Sequence, residues 1–436
     1  MPRPARDPQT GRVNRLRWKA ALVSLACAGC GAGDPFSSSG QSLEARSPIR
    51  HLVVIVQENH SFDSYFGTWC TAPAYSQPSC TEGRGCCEMA PATDPGTGAA
   101  PVALTDSENA DYSPDHSAAC ELEEMNGGLM DRYGTAACGS RRNFALAGDE
   151  VAQYRDWASR SALADRYFQP LAGASSSNDM YFSTARYQFT DNAWEPAAIG
   201  AGCSYNQSTI QYSDVTVSDL LAAHGQRLIW YAEGYKPMVD SAVCPLPPDD
   251  CTSWEYFPCI YDPGDVPSAY FASSADRSQR MRDSSALAAD LAQGTLPEVS
   301  FVKPLGYHSE HPAYGTTITG GVDFVARTVS EIERSPYGAD TLILVTWDES
   351  GGYFDHVRPP PASKADGKPY GPRVPLLALG PFARKGHVSH VTMEHSSIVK
   401  FIEWNWIGRT GLLRARDAEV NNLGSLLDPA LAVPER

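Results

Sequence analysis

Residues 341–352 read TLILVTWDESGG. An apolar run passes directly into two carboxylates and a pair of glycines. Such a run suits a strand covered on both faces, as in a parallel sheet. Residues 51–60, HLVVIVQENH, have the same grammar: an apolar run, then Gln57, Glu58, Asn59 and His60. Further short apolar runs lie at 227–232 (RLIWYA), 298–302 (EVSFV) and 374–379 (VPLLAL). Between them, residues 154–168, 282–293, 321–334 and 396–406 show helical spacing. The 321–334 segment is amphipathic and is stopped by Ser335-Pro336. Helices alternating with continuous apolar strands predict an α/β fold with a mostly parallel central sheet flanked by helices. Residues 68–115 and 236–265 are rich in Pro, Gly and Cys and read as long loop excursions.

The 436-residue chain carries 35 Lys+Arg against 51 Asp+Glu, a formal net charge of −16, so a nucleic-acid backbone is not the expected partner. Hydrophobic residues at 42% and charged residues at 20% exclude a disordered or collagen-like chain. The basic groups Arg3, Arg6, Arg12, Arg15, Arg17 and Lys19 precede a short apolar stretch at 20–29, which reads as a signal peptide over 1–29. That stretch is too short to span a bilayer as a helix. Ala28-Gly29-Cys30 resembles a lipoprotein signal, which would attach the chain to a membrane through a lipidated Cys30. A plain cleaved signal is the alternative. Residues 30–47 then read as a Gly/Ser-rich tether, and 48–436 as a single large α/β domain.

Ten cysteines lie beyond Cys30, from Cys70 to Cys259. An even count after an export signal predicts up to five disulfides in an oxidising compartment. The competing zinc-thiolate reading lacks paired C-x2-C spacings.

In open α/β sheets, ligands bind at the carboxyl ends of strands. The two polar strand ends supply Glu58, Asn59, Asp348 and Glu349, all with side-chain oxygen. Carboxylates gathered together repel unless a cation lies between them. One hard divalent ion (Ca²⁺, Mg²⁺ or Mn²⁺, with zinc also compatible) accepts such ligands. Solvated loop residues are the bland alternative. The stretch GASSSND at 173–179 offers a nucleophilic hydroxyl or, more plainly, a helix cap.

Several stretches resemble the bacterial phosphoesterase family: ENHSFDSYFG (58–67), NGGLMDRY (126–133), SSSNDMYF (175–182), EHP (310–312), WDESGGYFDHVRPP (347–360) and GPRVPLLALGPFARKGHVSH (371–390). That family includes phospholipases C and an acid phosphatase and has an alkaline phosphatase-like fold. The resemblance spans about residues 50–408. It implies Glu58, Asn59, Asp348 and Glu349 as metal ligands and Ser175 as nucleophile. Asn178 becomes the phosphoryl-contacting amide, and His116, His311 and His356 become catalytic histidines, with His60 and His308 as substitutes. Ser177 stands where the family usually has Pro. Asp355 beside His356 is expected to orient its ring, and Gly351-Gly352 to let backbone approach closely.

The mechanism so implied is attack by Ser175 on phosphorus, a phosphoserine intermediate, and leaving-group protonation by His311 or His356. The substrate is a small phosphate ester or a phospholipid head group, with Ser at 175 and the short C-terminal side favouring a phosphatase. Two other classes stay open. One is a metal-free serine esterase, which Gly173-Ala174-Ser175 faintly suggests. The other is a catalytically silent surface-binding protein.

Overall fold

The computed structural model describes residues 44–188, 212–235, 257–259, 261–271, 273 and 279–436. The expected signal peptide, most of the tether, Cys203, Cys244 and Cys251 lie outside them. The tether reading stops short at its end. Ser47 is buried and hydrogen-bonds Asn405 Oδ1 through both its amide (3.1 Å) and its hydroxyl (2.8 Å).

Among the described residues, ten strands run β1 (His51–Gln57), β2 (Val102–Leu104), β3 (Ala145–Ala147), β4 (Ala162–Ala164), β5 (Leu228–Ala232), β6 (Met281–Asp283), β7 (Val299–Lys303), β8 (Thr341–Trp347), β9 (Leu376–Leu379) and β10 (His387–Ser389). Eight of them form one sheet in the order β10-β4-β9-β8-β1-β7-β5-β6, and β2 pairs with β3. All pairings in the large sheet are parallel except those of β9, which is antiparallel to β4 and β8. The order explains the composition. β1 and β8 lie inside the sheet with helices on both faces, and every residue of β8 is buried. Such strands need apolar, largely β-branched side chains on both sides. Fully burying one of them is worth about 1.5–3 kcal/mol.

The orientation of β9 reflects the chain's path. After β8 the segment 348–375 stays at the carboxyl edge, where Val374 N bonds Tyr167 O (2.9 Å) and Phe168 bridges Arg373. β9 therefore enters the sheet from that edge and runs back.

The expected helix at 321–334 spans Ile318–Arg334, opened by Thr317, whose side chain accepts from Gly320 N. Its buried positions Ile318, Val322, Val325, Val329 and Ile332 recur at three- and four-residue spacing, forming the stripe that meets the sheet. Two expected helices are divided. At 154–168 the helix is Ala152–Arg160; extended Ser161 ends it, and Ala162–Ala164 becomes β4, its three buried residues (Ala, Leu, Ala) fitting between β10 and β9. At 282–293 the first residues pair with β5 as β6, and the helix is Ser285–Gln293. At 396–406 the helix His395–Ile402 widens into a π-type turn over Glu403–Ile407.

Disulfides join Cys70–Cys87, Cys80–Cys86 and Cys120–Cys138, and Cys259 is also disulfide-bonded. Two of them cross-link the 68–115 excursion and the third follows it at Cys120–Cys138, within the cysteine-bearing middle of the chain, and they point to an oxidising compartment. No helix among the described residues is long and apolar enough to cross a membrane.

Candidate functional site

The two polar strand ends meet. β1 and β8 are neighbours in register, with Gln57 opposite Trp347, so Glu58-Asn59 and Asp348-Glu349 leave the sheet side by side. Asn59 N donates to Asp348 Oδ1 (3.0 Å), as does Glu349 N (2.7 Å). Asn59 holds a left-handed backbone (φ 63°), and Gly351 (φ 67°) packs against it so closely that a Cβ on Gly351 would overlap the Asn59 carbonyl oxygen. The expected close backbone approach at Gly351-Gly352 is therefore real. Gly352 makes the same kind of approach to Asp115.

Ser175 arrives from a different element. It opens the short helix Ser175–Asp179, and its Oγ lies 3.2 Å from Asn59 Oδ1. The loop before it is fixed by two buried side chains. The Glu121 carboxylate accepts from Gly173 N (2.7 Å), Gln169 Nε2 (2.9 Å) and Ser350 Oγ (3.1 Å), which ties the Ser175 loop to the Asp348-Glu349 loop. Burial pushes Glu121 up to about 8.

The second fixing residue is Asn178, and its position revises its expected role. Its amide donates to Gly173 O (2.7 Å) and Ala174 O (3.1 Å), and its carbonyl accepts from Leu171 N (2.9 Å). The donors expected for a phosphoryl group are engaged by the backbone. Asn178 shapes the loop that carries Ser175.

Three further residues complete the site, none of them among the sequence candidates. Lys303, the last residue of β7, is 2% exposed and ion-pairs with Glu58 Oε1 (3.2 Å), Asp179 Oδ2 (3.7 Å) and Asp348 Oδ2 (3.9 Å). Asp265 hydrogen-bonds Glu58. Lys303 does carry a sequence signal, because it directly succeeds the apolar run at 298–302, just as Glu58 and Asp348 lie past the ends of theirs. Asp179 and Asp265 carry no comparable signal.

Burial dominates the electrostatics. It raises Glu58 to about 7, with Lys303 partly offsetting it, and raises Asp179, Asp265 and Glu349 well above the usual carboxylate range. Burial alone would lower Lys303, but Asp179, Glu58, Asp265 and Asp348 hold it well above its ordinary value. Glu58 Oε1, Asp348 Oδ2, Glu349 Oε1 and both Asp179 oxygens are buried without a hydrogen bond. Buried carboxylates in such numbers need positive charge. The all-oxygen donor set, with unsatisfied oxygens turned inward, fits a hard divalent cation.

Two expected histidines border this group. His116 Nε2 is 3.9 Å from Glu349 Oε1, and the His116 and His311 rings are 6.1 Å apart. The Nδ1–H groups donate to backbone carbonyls, Pro114 O for His116 (3.1 Å) and Pro312 O for His311 (2.7 Å). Each Nε2 is then the bare nitrogen. Burial lowers both, His311 to about 3. His60 bonds Glu58 O and Asn109 Oδ1 and stacks on Tyr65 and Tyr353, a structural placement. His308 pairs with Glu233 (3.0 Å).

His356 belongs to a separate buried network. Its Nδ1 bonds Asp63 (2.7 Å) and its Nε2 lies 3.5 Å from Glu88, while Asp355 receives Arg373 Nε (2.8 Å). Asp63, not Asp355, orients the ring. Asp63, Asp355 and His356 are close enough to hold an ion. Arg373 already supplies the positive charge there, 2.9 Å from Asp63.

The structure thus defines an α/β protein whose carboxyl-edge site brings a serine hydroxyl to an oxygen-lined candidate cation cradle. The chain belongs to the Phosphoesterase family, whose model matches residues 49–407. It is 25% identical over 407 residues to a non-hemolytic phospholipase C of Burkholderia pseudomallei, covering 81% of this chain and 55% of that protein. It is 26% identical over 432 residues to phospholipase C B of Mycobacterium tuberculosis, covering 86% of this chain and 77% of that one. The chain spans about half the length of several of these relatives, among them the Burkholderia protein (55%) and a hemolytic phospholipase C of Pseudomonas aeruginosa (56%). A solved structure of an alkaline phosphatase superfamily protein from Vibrio parahaemolyticus is also similar, with a TM-score of 0.37 and 11% identity over 84% of this chain and 68% of that one.

Proposed function

We propose that this chain is an exported, metal-dependent hydrolase of phosphate esters, with Ser175 as nucleophile and a phosphoserine intermediate. One observation carries the reading: Ser175 Oγ sits 3.2 Å from Asn59 Oδ1, while the Asn59 amide is locked to Asp348. Glu58, Asn59, Asp348 and Glu349 would hold the cation. When bound, it lowers the pKa of a nearby hydroxyl and neutralises phosphoryl charge.

The remaining chemistry falls to this chain's own side chains. Ser175 Oγ forms the new bond to phosphorus as the bond to the leaving oxygen breaks. A bare Nε2, on His116 or His311, takes the serine proton and passes it to that oxygen, so the proton count closes. The same nitrogen then takes a proton from the water that attacks phosphorus and returns it to Ser175 Oγ as the P–Oγ bond breaks and phosphate leaves. His311 is favoured over His356 because it stands beside His116, whose Nε2 lies 3.9 Å from Glu349, whereas His356 is bound to Asp63. The Ser175 hydroxyl bonds Asn59 rather than a histidine, which disfavours a metal-free triad.

The likeness to phospholipases C supports phospholipid head groups as substrates beside simple esters. The disulfides support export, and attachment through Cys30 is part of the same proposal. The test is hydrolysis of an aryl phosphate by intact protein, with and without chelator, alongside Ser175→Ala. Activity is expected to fall on the order of 10³-fold or more in both arms. Full activity in Ser175→Ala excludes the covalent route.

A further inference from the structure

We propose that Lys303 is a second cation built into the site, so that the pocket takes one divalent ion where its carboxylates could otherwise hold two. This rests on the one-cation reading above and assigns residues which that reading leaves without work.

Glu58, Asn59, Asp348 and Glu349 would serve the proposed ion, and Asn59 contacts Ser175 Oγ. Asp179 and Asp265 are buried beside them, Asp265 hydrogen-bonded to Glu58, and neither Asp179 oxygen has a hydrogen bond. Lys303 links Asp179 to Glu58 and Asp348. Its Nζ is 3.2 Å from Glu58 Oε1, 3.9 Å from Asp348 Oδ2 and 3.7 Å from Asp179 Oδ2. Glu58 and Asp348 are therefore shared between the ammonium and the proposed ion. In two-ion hydrolytic sites the cations stand about 3.5–4 Å apart with ligands common to both. The ammonium holds the place of the second.

The backbone makes that placement rigid. β7 pairs with β1 on one side and β5 on the other, with Val302 opposite Ile55 and Lys303 opposite Ala232. Lys303 is therefore the last residue of a strand bonded along both edges, beside the strand that delivers Glu58. A fixed monovalent charge there repels a second divalent ion and still compensates carboxylates that would otherwise face each other unscreened.

The test counts ions on intact protein, using Mn²⁺ as the probe. Wild type and Lys303→Met, which keeps the unbranched stem and removes the charge, are saturated with Mn²⁺, desalted and assayed by elemental analysis. The same samples are then measured by calorimetric titration and electron paramagnetic resonance. Wild type is expected to hold one Mn²⁺ per chain with an uncoupled spectrum. Lys303→Met is expected to hold two with a spin-coupled spectrum, and Lys303→Met/Asp179→Asn to return to one. One Mn²⁺ in Lys303→Met, at an affinity within about threefold of wild type, overturns the proposal. Two in wild type also overturns it, and that measurement stands even if the variant fails to fold. No Mn²⁺ in wild type refutes the underlying metal reading instead, so the two failures are distinguishable.

Discussion

Replacing His356 by Asn separates a structural from a catalytic role. Asn keeps a donor for Asp63 but cannot titrate. Burial alone would lower His356, but Asp63 and Glu88 raise it from 6.5 to about 9. Glu88 is itself held down to about 2, and Asp63 below its usual range, so both partners stay charged across neutral pH. The fold therefore favours the imidazolium. Its contribution is complete below pH 6.5, declines as pH rises, and is gone above about pH 9. A shift of that size corresponds to about 3 kcal/mol. Wild type should exceed His356→Asn in urea-unfolding stability by about 3 kcal/mol at pH 6, and the gap should close by pH 10. Asp63 and Glu88 stay ionised in wild type over this range, and titrating groups that do not touch His356 cancel in the difference. Aryl phosphatase activity should stay within about tenfold of wild type at pH 6. Parallel stability profiles, or an activity loss as deep as that of Ser175→Ala in a stable variant, would refute the assignment.

Asn178→Ala strands Leu171 N, Gly173 O and Ala174 O in a buried loop. It should cost about 2–3 kcal/mol in thermal or urea unfolding and lower kcat, because the loop that aims Ser175 loosens. Gly351→Ala forces a side chain onto the Asn59 carbonyl at a positive φ. It should weaken Mn²⁺ binding by tenfold or more in calorimetry, together with a drop in melting temperature. Removing Cys120–Cys138 as a double alanine variant opens a link of sequence separation 18 next to Glu121. By chain entropy this should cost about 3 kcal/mol in denaturant melts, with activity falling in parallel.

The sheet and the four strand-end oxygens are legible in the sequence because both depend on local grammar. A buried parallel strand must be apolar throughout, and the residue after it must sit at the carboxyl edge. The ending of the 154–168 helix is not legible. Ala162–Ala164 has no strand propensity, and only the space between β10 and β9 makes it one. Asn178 misleads for a related reason: an amide beside a nucleophile looks the same in sequence whether it faces a ligand or its own loop. The chain puts His356 beside Asp355, whereas the fold gives it Asp63. Asp179 and Asp265 lie in loops and short helices whose convergence on Lys303 is set by tertiary packing alone.

The oxygens at the ends of β1 and β8 and the hydroxyl of Ser175 rest on different supports that meet at Glu121. The first stand on adjoining rungs of one ladder, which cannot spread without tearing backbone pairing. The second is presented by a loop stapled through Glu121 and Asn178. Protein engineers who keep Asp179 and the Glu121 bonds to Gly173 and Ser350 could therefore vary the length of the presenting loop ahead of Gly173, and so shift the hydroxyl against a strand-borne anvil.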